Sequence, residues 1–321
     1  MKSAGEDHWR PSAELQTLKA RAELFGSVRA FFSARGIMEV DTPILSAHAT
    51  VDRQIESFAV PNPESQIPNP GFLATSPEFA MKRLLAAGSG PIWQIAHVFR
   101  REEAGRFHNP EFALLEWYRP GFDHHRLMDE VDELLQAVGA ASAPCERWGY
   151  REAFQRHAQL DPFAAPIQSL RAAAPAIDAG EQDAASRDFW LDLLMSHRVG
   201  PKLGADRPCF VHSFPASQAA LARVQGGVAE RFEVFWRGLE LANGFHELTD
   251  AAEQQARFEA DREWRRSRGK AVPPYDRHLI AALQAGLPPC AGVALGLDRL
   301  LMLLLGLPKV ASAMPFAADR A

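Results

Sequence analysis

Between Phe99 and Tyr118 the chain reads FRREEAGRFHNPEFALLEWY, and its residue types suit chemistry on a nucleotide. Arg100 and Arg101 close an apolar run and are followed by the acids Glu102 and Glu103. A polar turn through Gly105, His108, Asn109 and Pro110 leads into a second run carrying Phe112, Glu116 and Tyr118. Guanidinium groups suit phosphate, an aromatic face suits a base, and a carboxylate suits an amine. Strand alternation puts Phe112, Leu114, Glu116 and Tyr118 on one face and Ala113, Leu115 and Trp117 on the other. The apolar set is expected in the core, and the mixed set is expected to wall a pocket. A half-solvated sheet with Glu116 in water is the plain alternative; the adjoining arginines and the NPEF turn favour the pocket.

A second constellation runs from Arg231 to Glu247, RFEVFWRGLELANGFHE. Arg237-Gly238 can form a two-residue hairpin turn, which places Glu233 and Glu240 on one face as diagonal neighbours. Two carboxylates converging there call for a cation, and Mg²⁺ shared with substrate phosphates is the usual answer. Glu247 has the opposite parity, so joining that face requires a bulge, expected at Gly244. In the third constellation, Gly292-Val-Ala-Leu-Gly296-Leu-Asp-Arg299, a short strand enters a helix whose first turn carries Arg299. That arginine is placed to clamp a phosphate. His108, His124 and His125 lack matching Cys or carboxylate spacing and are read as loop or capping histidines rather than metal ligands.

No GxxxxGK[ST] loop and no Ser/His/Asp or Cys/His pattern is present, so ATP would be held by arginines, Mg²⁺ and an aromatic platform. The formal charge of −5 over 321 residues gives no global basic field for nucleic acid. Cys145, Cys209 and Cys290 are distant and odd in number, which points to a reducing cytoplasm. MKSAGEDHWRPS carries no apolar signal core, and Asp298 and Arg299 interrupt the most apolar stretch, so a soluble protein is expected.

The elements that must position these groups are legible in outline. Leu15, Leu18, Phe25, Val28 and Phe32 predict a helix closed at Gly36, and residues 37–43 predict a strand. The proline-rich residues 61–71 predict a loop. Ser76 and Pro77 predict a helix start, with Glu78 in its first turn. Strands are expected at 92–100, 112–118, 209–214 and 233–245, and a helix over 127–138. The Ala-rich span of about 140–205 is expected to be a helical insertion without strands, inside a single domain of residues 1–321. Short turns between strands predict an antiparallel α+β sheet flanked by helices.

These constellations, in this order, resemble the three signature motifs of class II aminoacyl-tRNA synthetases: Gly36 to Pro43, Phe99 to Glu116, and Gly296 to Arg299. HNPEF at 108–112 and ELANGFHEL at 240–248 are similar to the lysine-specific subgroup. With the first motif at residue 36 there is no room ahead of it for an anticodon-reading OB-fold, so no tRNA anticodon recognition is expected. HSFPASQAALA at 212–222 and GVALG at 292–296 resemble the free-standing ligases that attach (R)-β-lysine to elongation factor P. The resemblance implies an ATP- and Mg²⁺-dependent, AMP-forming ligase acting on β-lysine or lysine and on elongation factor P, working as a homodimer. A tRNA or ammonia acceptor, or a non-catalytic regulatory paralogue, are the rival readings.

By motif position, Arg100 and Arg299 would be catalytic, holding the α- and γ-phosphates. Arg101, Glu102, His108, Asn109, Phe112, Glu240, Leu241 and Gly296 would complete the ATP site, and Glu233 with Glu240 would carry the metal. Ser76, Pro77, Glu78, Glu116, Tyr118, Asn243, Glu247 and Ala294 would bind the amino acid. Arg101 stands where these families often have Asn, and Ala294 where lysyl-tRNA synthetases usually have Gly.

Overall fold

The computed structural model describes residues 9–61 and 70–321, so most of the proline-rich segment lies outside the described residues. Its backbone clusters into two compact units. Unit 1 comprises the described residues up to Gly121, Thr249–Cys290 and Ala294–Ala321; unit 2 comprises Phe122–Leu248 and Ala291–Val293.

Unit 1 opens with α1 (Leu15–Ala34), whose Leu24, Val28, Phe31 and Phe32 fall at helical spacing and are buried. The helix stops at Gly36, whose φ of 65° favours glycine. Strands β1 (Met38–Glu39), β2 (Leu45–Ser46), β3 (Ala59–Val60) and β4 (Gly71–Leu73) are short, and α2 (Glu78–Ala86) precedes the long pair β5 (Ile92–Phe99) and β6 (Glu111–Pro120). That pair is antiparallel in unbroken register from Ile92↔Tyr118 to Phe99↔Glu111. Phe32 stacks on Trp93 at 4.8 Å and meets Trp117 edge-on at 5.3 Å, which docks α1 on the sheet. Truncating so buried an aromatic costs about 3–5 kcal/mol.

In unit 2, α3 (His124–Ala137) is capped by Asp123, whose carboxylate accepts the Arg126 N–H at 2.8 Å. There follow β7 (Glu146–Gly149), α4 (Tyr150–Ala158), α5 (Ile167–Ala173), α6 (Glu181–Ala184), α7 (Arg187–Leu194), β8 (Cys209–Pro215), β9 (Val224–Gln225), β10 (Val228–Trp236) and β11 (Leu239–His246). Tyr150, Phe154, Trp190, Leu191, Val211 and Phe235 form this unit's core, so the Ala-rich helices pack on the strands. The last elements are α8 (Ala251–Ser267), α9 (Arg277–Gly286), β12 (Cys290–Gly296), whose Ala291–Val293 count with unit 2, and α10 (Leu297–Leu304). Buried Arg265 of α8 binds the Glu56 carboxylate at 2.5 Å and Lys270 joins at 3.1 Å. Burial alone would raise the Glu56 pKa, but these two cations outweigh it and hold the carboxyl below its ordinary value.

The strands follow the order β1-β5-β6-β12 in unit 1 and β11-β10-β8-β7 in unit 2, and β2-β4-β3 form a separate small sheet. The fold is α/β-mixed with a dominant antiparallel sheet flanked by helices. Two strands differ from expectation. The strand over 37–43 contracts to Met38–Glu39 and pairs with β5 in parallel. A strand, β7, lies inside the supposedly strand-free span and pairs with β8 in parallel; α4 to α7 supply the crossover that a parallel pair needs. Four residues are too few to show a period-2 signal.

The β10–β11 hairpin turns at Arg237 and Gly238, whose φ values of 49° and 75° suit a tight primed turn. Its ladder runs Trp236↔Leu239, Phe235↔Glu240, Val234↔Ala242, Glu233↔Asn243 and Phe232↔Gly244, so Leu241 is the extra residue of a bulge. The bulge therefore sits at Leu241 and not at Gly244. Gly244 serves another purpose: a Cβ there would stand 2.3 Å from the Phe232 ring. Gly244→Ala is expected to destabilise the fold by about 1–3 kcal/mol through overpacking. Chemical denaturation would show this as a lower midpoint at unchanged slope.

Candidate active site

Ser76, Glu78 and Tyr118 of unit 1 gather around a buried carboxylate. Glu116 lies mid-strand on β6, 2% exposed, with Gln94 of β5 as its register partner. The Tyr118 hydroxyl donates to Glu116 Oε1 at 2.7 Å and the Ser76 hydroxyl donates to Oε2 at 2.8 Å. The Ser76 oxygen also accepts the Glu78 N–H at 3.0 Å, so one hydroxyl caps the first turn of α2 and orients the acid. Pro77 is the residue just ahead of that helix. Glu78 itself is bound at 2.6 Å by Lys82 Nζ, one turn along α2 and almost wholly buried.

Two carboxylates and one ammonium leave this cluster acidic. Burial first, and the neighbouring Glu78 charge second, push the Glu116 pKa up to about 7. A ligand cation placed here would restore the balance. Residues 113–118 of β6 are all buried, so on the mixed face expected to wall a pocket Leu114, Glu116 and Tyr118 are as enclosed as Ala113, Leu115 and Trp117 opposite. Of the mixed set, only Phe112 is partly exposed.

The phosphate-type groups of the same unit lie along the β5–β6 turn and the α10 start. Arg100 Nε donates to the Thr75 carbonyl at 3.3 Å, Nη1 reaches Glu103 at 3.1 Å, and the guanidinium lies 5.1 Å from the Phe112 ring centroid. Arginine and aromatic platform are thus already paired. Arg101 and Glu102 are exposed and 3.6 Å apart. Gly105 and His108 close the turn through backbone bonds. Asn109 is buried, donating to the Glu111 carbonyl at 2.6 Å and accepting the Ala318 N–H at 3.1 Å, so it shapes the loop. Arg299 Nε donates to the Phe107 carbonyl at 3.0 Å, tying the first turn of α10 to the same loop. Its neighbour Asp298 is buried and accepts the Ala113 N–H at 2.7 Å and the Arg21 guanidinium. On β12, Ala294 and Gly296 lie on the half-exposed side while Leu295 is buried.

In unit 2 the bulge at Leu241 settles which acids share a face. Glu240 pairs with Phe235 and Asn243 with Glu233, so Glu233, Glu240 and Asn243 lie together, and Glu247 follows at the same parity. Arg231 is in the same set: it binds the Glu233 carboxylate, and its Nε donates to Asn243 Oδ1 at 3.2 Å. Burial raises the Glu233 pKa above the carboxylate range; Arg231 opposes this and Glu240 adds to it. One guanidinium does not offset the acids, so the donor set suits a hard divalent cation. Glu247 is buried, with its backbone bridged to Ala222.

A family model described as tRNA synthetases class II (D, K and N) matches residues 7–320. The chain belongs to that family. It is 48% identical to proteins named elongation factor P–(R)-beta-lysine ligase from Salmonella arizonae and Salmonella dublin, in each case over 98% of both chains.

Within this synthetase fold, sequence reasoning missed Lys82 and Arg231, the cations that hold Glu78 and Glu233. Both were accessible: Glu78 and Lys82 stand at i, i+4 on a helix, and Arg231 and Glu233 at i, i+2 on a strand. His124, read from sequence as a loop or capping histidine, is the first residue of α3 and has neighbours that the sequence did not suggest. Among the described residues, ligand atoms of His124, Glu230 and His246 all lie within 4.8 Å of one another. The carboxylate partner is more than a hundred residues away, where no spacing rule reaches.

The elevated Glu116 pKa has a definite sign. Its folded value of about 7 exceeds the ordinary 4.5, so the folded chain holds a proton that the unfolded chain releases. Its contribution to stability therefore falls as pH rises from about 4.5 through about 7, and is flat outside that window. Glu116→Gln should remove this slope from denaturation measured across pH. Carboxyl-carbon NMR should show, beside the raised Glu233, an acid titrating near 7 that vanishes in Glu116→Gln and moves up in Lys82→Met.

Proposed function

We propose that the chain is an ATP-dependent, AMP-forming ligase that activates (R)-β-lysine and transfers it to a lysine ε-amino group of elongation factor P. The observation that carries this reading is the near full-length match, at 48% identity, to ligases named for that reaction. The acidic Glu116–Glu78 cluster supports it, because a diamine supplies the positive charge that the cluster lacks.

The chemistry takes two steps. The β-lysine carboxylate attacks the α-phosphorus of ATP, forming a C–O–P bond as pyrophosphate leaves. The elongation factor P amine then attacks the activated carbonyl, an amide forms, AMP departs and the amine proton passes to solvent. Arg100 is assigned to the α-phosphate, Arg299 to the γ-phosphate and Phe112 to stacking on adenine, with His108 and Asn109 shaping the turn and Arg101, Glu102, Leu241 and Gly296 around the nucleotide. Glu116, Tyr118 and Glu247 are assigned to the distal ammonium, and Ser76, Pro77, Glu78, Asn243 and Ala294 to the reacting end. Glu233 and Glu240 would hold Mg²⁺, which when bound neutralises phosphate charge. No protein nucleophile is required; positioning and electrostatics do the work.

Two further assignments accompany this reading. A second copy of the chain would cover Met38 and Ile44, large apolar side chains exposed beside the first motif. A cytoplasmic location suits the three buried free thiols; burial raises that of Cys209 to about 12. No helix among the described residues is long and apolar enough to cross a membrane.

Mass spectrometry of elongation factor P incubated with ATP and (R)-β-lysine should show addition of one β-lysyl group. Transfer to tRNA or ammonia instead, or no transfer at all, refutes the reading. Arg299→Ala should slow ATP–pyrophosphate exchange roughly a hundredfold or more while the fold persists, since each preorganised cation is worth several kcal/mol to the transition state.

A further inference from the structure

One group of side chains in unit 2 is assigned no role in that reaction. His246 ends β11 at a parity opposite to Asn243 and Phe245, so it faces away from the Glu233–Glu240 acids. Its Nδ1 lies 2.7 Å from Glu230 Oε2 on β10. His124, the first residue of α3, brings a second imidazole, and the three ligand atoms fall within 4.8 Å of one another.

Three observations separate this cluster from an ordinary histidine–carboxylate hydrogen bond. His124 is 7% exposed and its Nδ1 is buried with no hydrogen-bond partner among the described residues, an expensive arrangement for a ring nitrogen. The imidazoles are crowded: His124 and His125 rings are 4.0 Å apart and His125 lies 5.6 Å from His212. The charge is also suited to a cation, with Asp123 and Glu230 both beside the histidines. Arg223, 3.7 Å from Glu230, is half-exposed and can swing into solvent.

We propose that His124, Glu230 and His246 form a binding site for a divalent transition metal of the Zn²⁺ class, joining the start of α3 to the β10–β11 pair. Two imidazoles and one carboxylate are a donor set such ions favour, whereas Mg²⁺ prefers all-oxygen surroundings. Tetrahedral bonds of about 2.0–2.1 Å need ligand atoms about 3.3 Å apart, within reach of small side-chain rotations here. Glu230 and His246 keep side-chain exposures of 18% and 14%, which leaves an entry path and room for a water as fourth ligand. This site is independent of the ligase reading.

The test uses the full chain, stripped of metal and titrated with Co²⁺ alone. One equivalent should bind with the intense visible bands of a low-coordinate imidazole-bound ion, and Zn²⁺ alone should displace it and raise the melting temperature. His124→Ala and His246→Asn should each weaken Co²⁺ binding at least about tenfold, since even losses outside the ligand set cost that much. Glu240→Gln should leave the spectrum intact. A Co²⁺ spectrum no different from the ion in buffer overturns the site. So does unchanged affinity in whichever histidine variant keeps its native circular dichroism, or loss of the bands in Glu240→Gln.

Discussion

An excess of buried negative charge is the constraint on which the rest of this molecule depends. Glu116 sits in the buried middle of β6, beside Glu78, and among the described residues Lys82 is the cation that lowers its charge cost. Burying an acid this way is unfavourable unless it is protonated or meets a cation. The surroundings serve that arrangement: the unbroken β5–β6 ladder fixes the carboxylate, Tyr118 and Ser76 each donate to one of its oxygens, and Phe32 packs against Trp93 and Trp117 of the sheet. A carboxyl poised near neutrality gains most from a ligand that brings its own charge.

Unit 2 repeats the logic with different parts. Arg231 partly answers Glu233 and Glu240 adds charge back, so the group stays acidic. The device that assembles it is one extra residue, Leu241, which resets strand parity so that acids on either side of the bulge share a face. Gly244 permits the close approach of the Phe232 ring on the other face. The same strand pair thus presents acids and Asn243 on one side and the His246–Glu230 pair on the other.

How much of this was legible follows from how local each feature is. The α1 helix and its Gly36 stop, the Arg237-Gly238 turn, the strand over Phe112 to Tyr118 and the entry from Gly296 into α10 rest on spacing within a few residues. The Arg100–Phe112 pairing follows from a single strand–turn–strand. The short parallel strand β7 escaped because its partner β8 lies some sixty residues on, and four residues carry no period.

The sequence by itself determined which groups exist and how neighbours along one element face, because side-chain period and turn chemistry are properties of the local backbone. It also determined family membership, since the ordered motifs span nearly the whole chain. Only the tertiary structure decided depth and distant proximity: that both faces of β6 are buried, so Glu116 shifts toward neutrality; that the bulge falls at Leu241; and that His124 meets Glu230 and His246. Desolvation and long-range contact depend on what the rest of the chain packs on top, which no window of sequence contains.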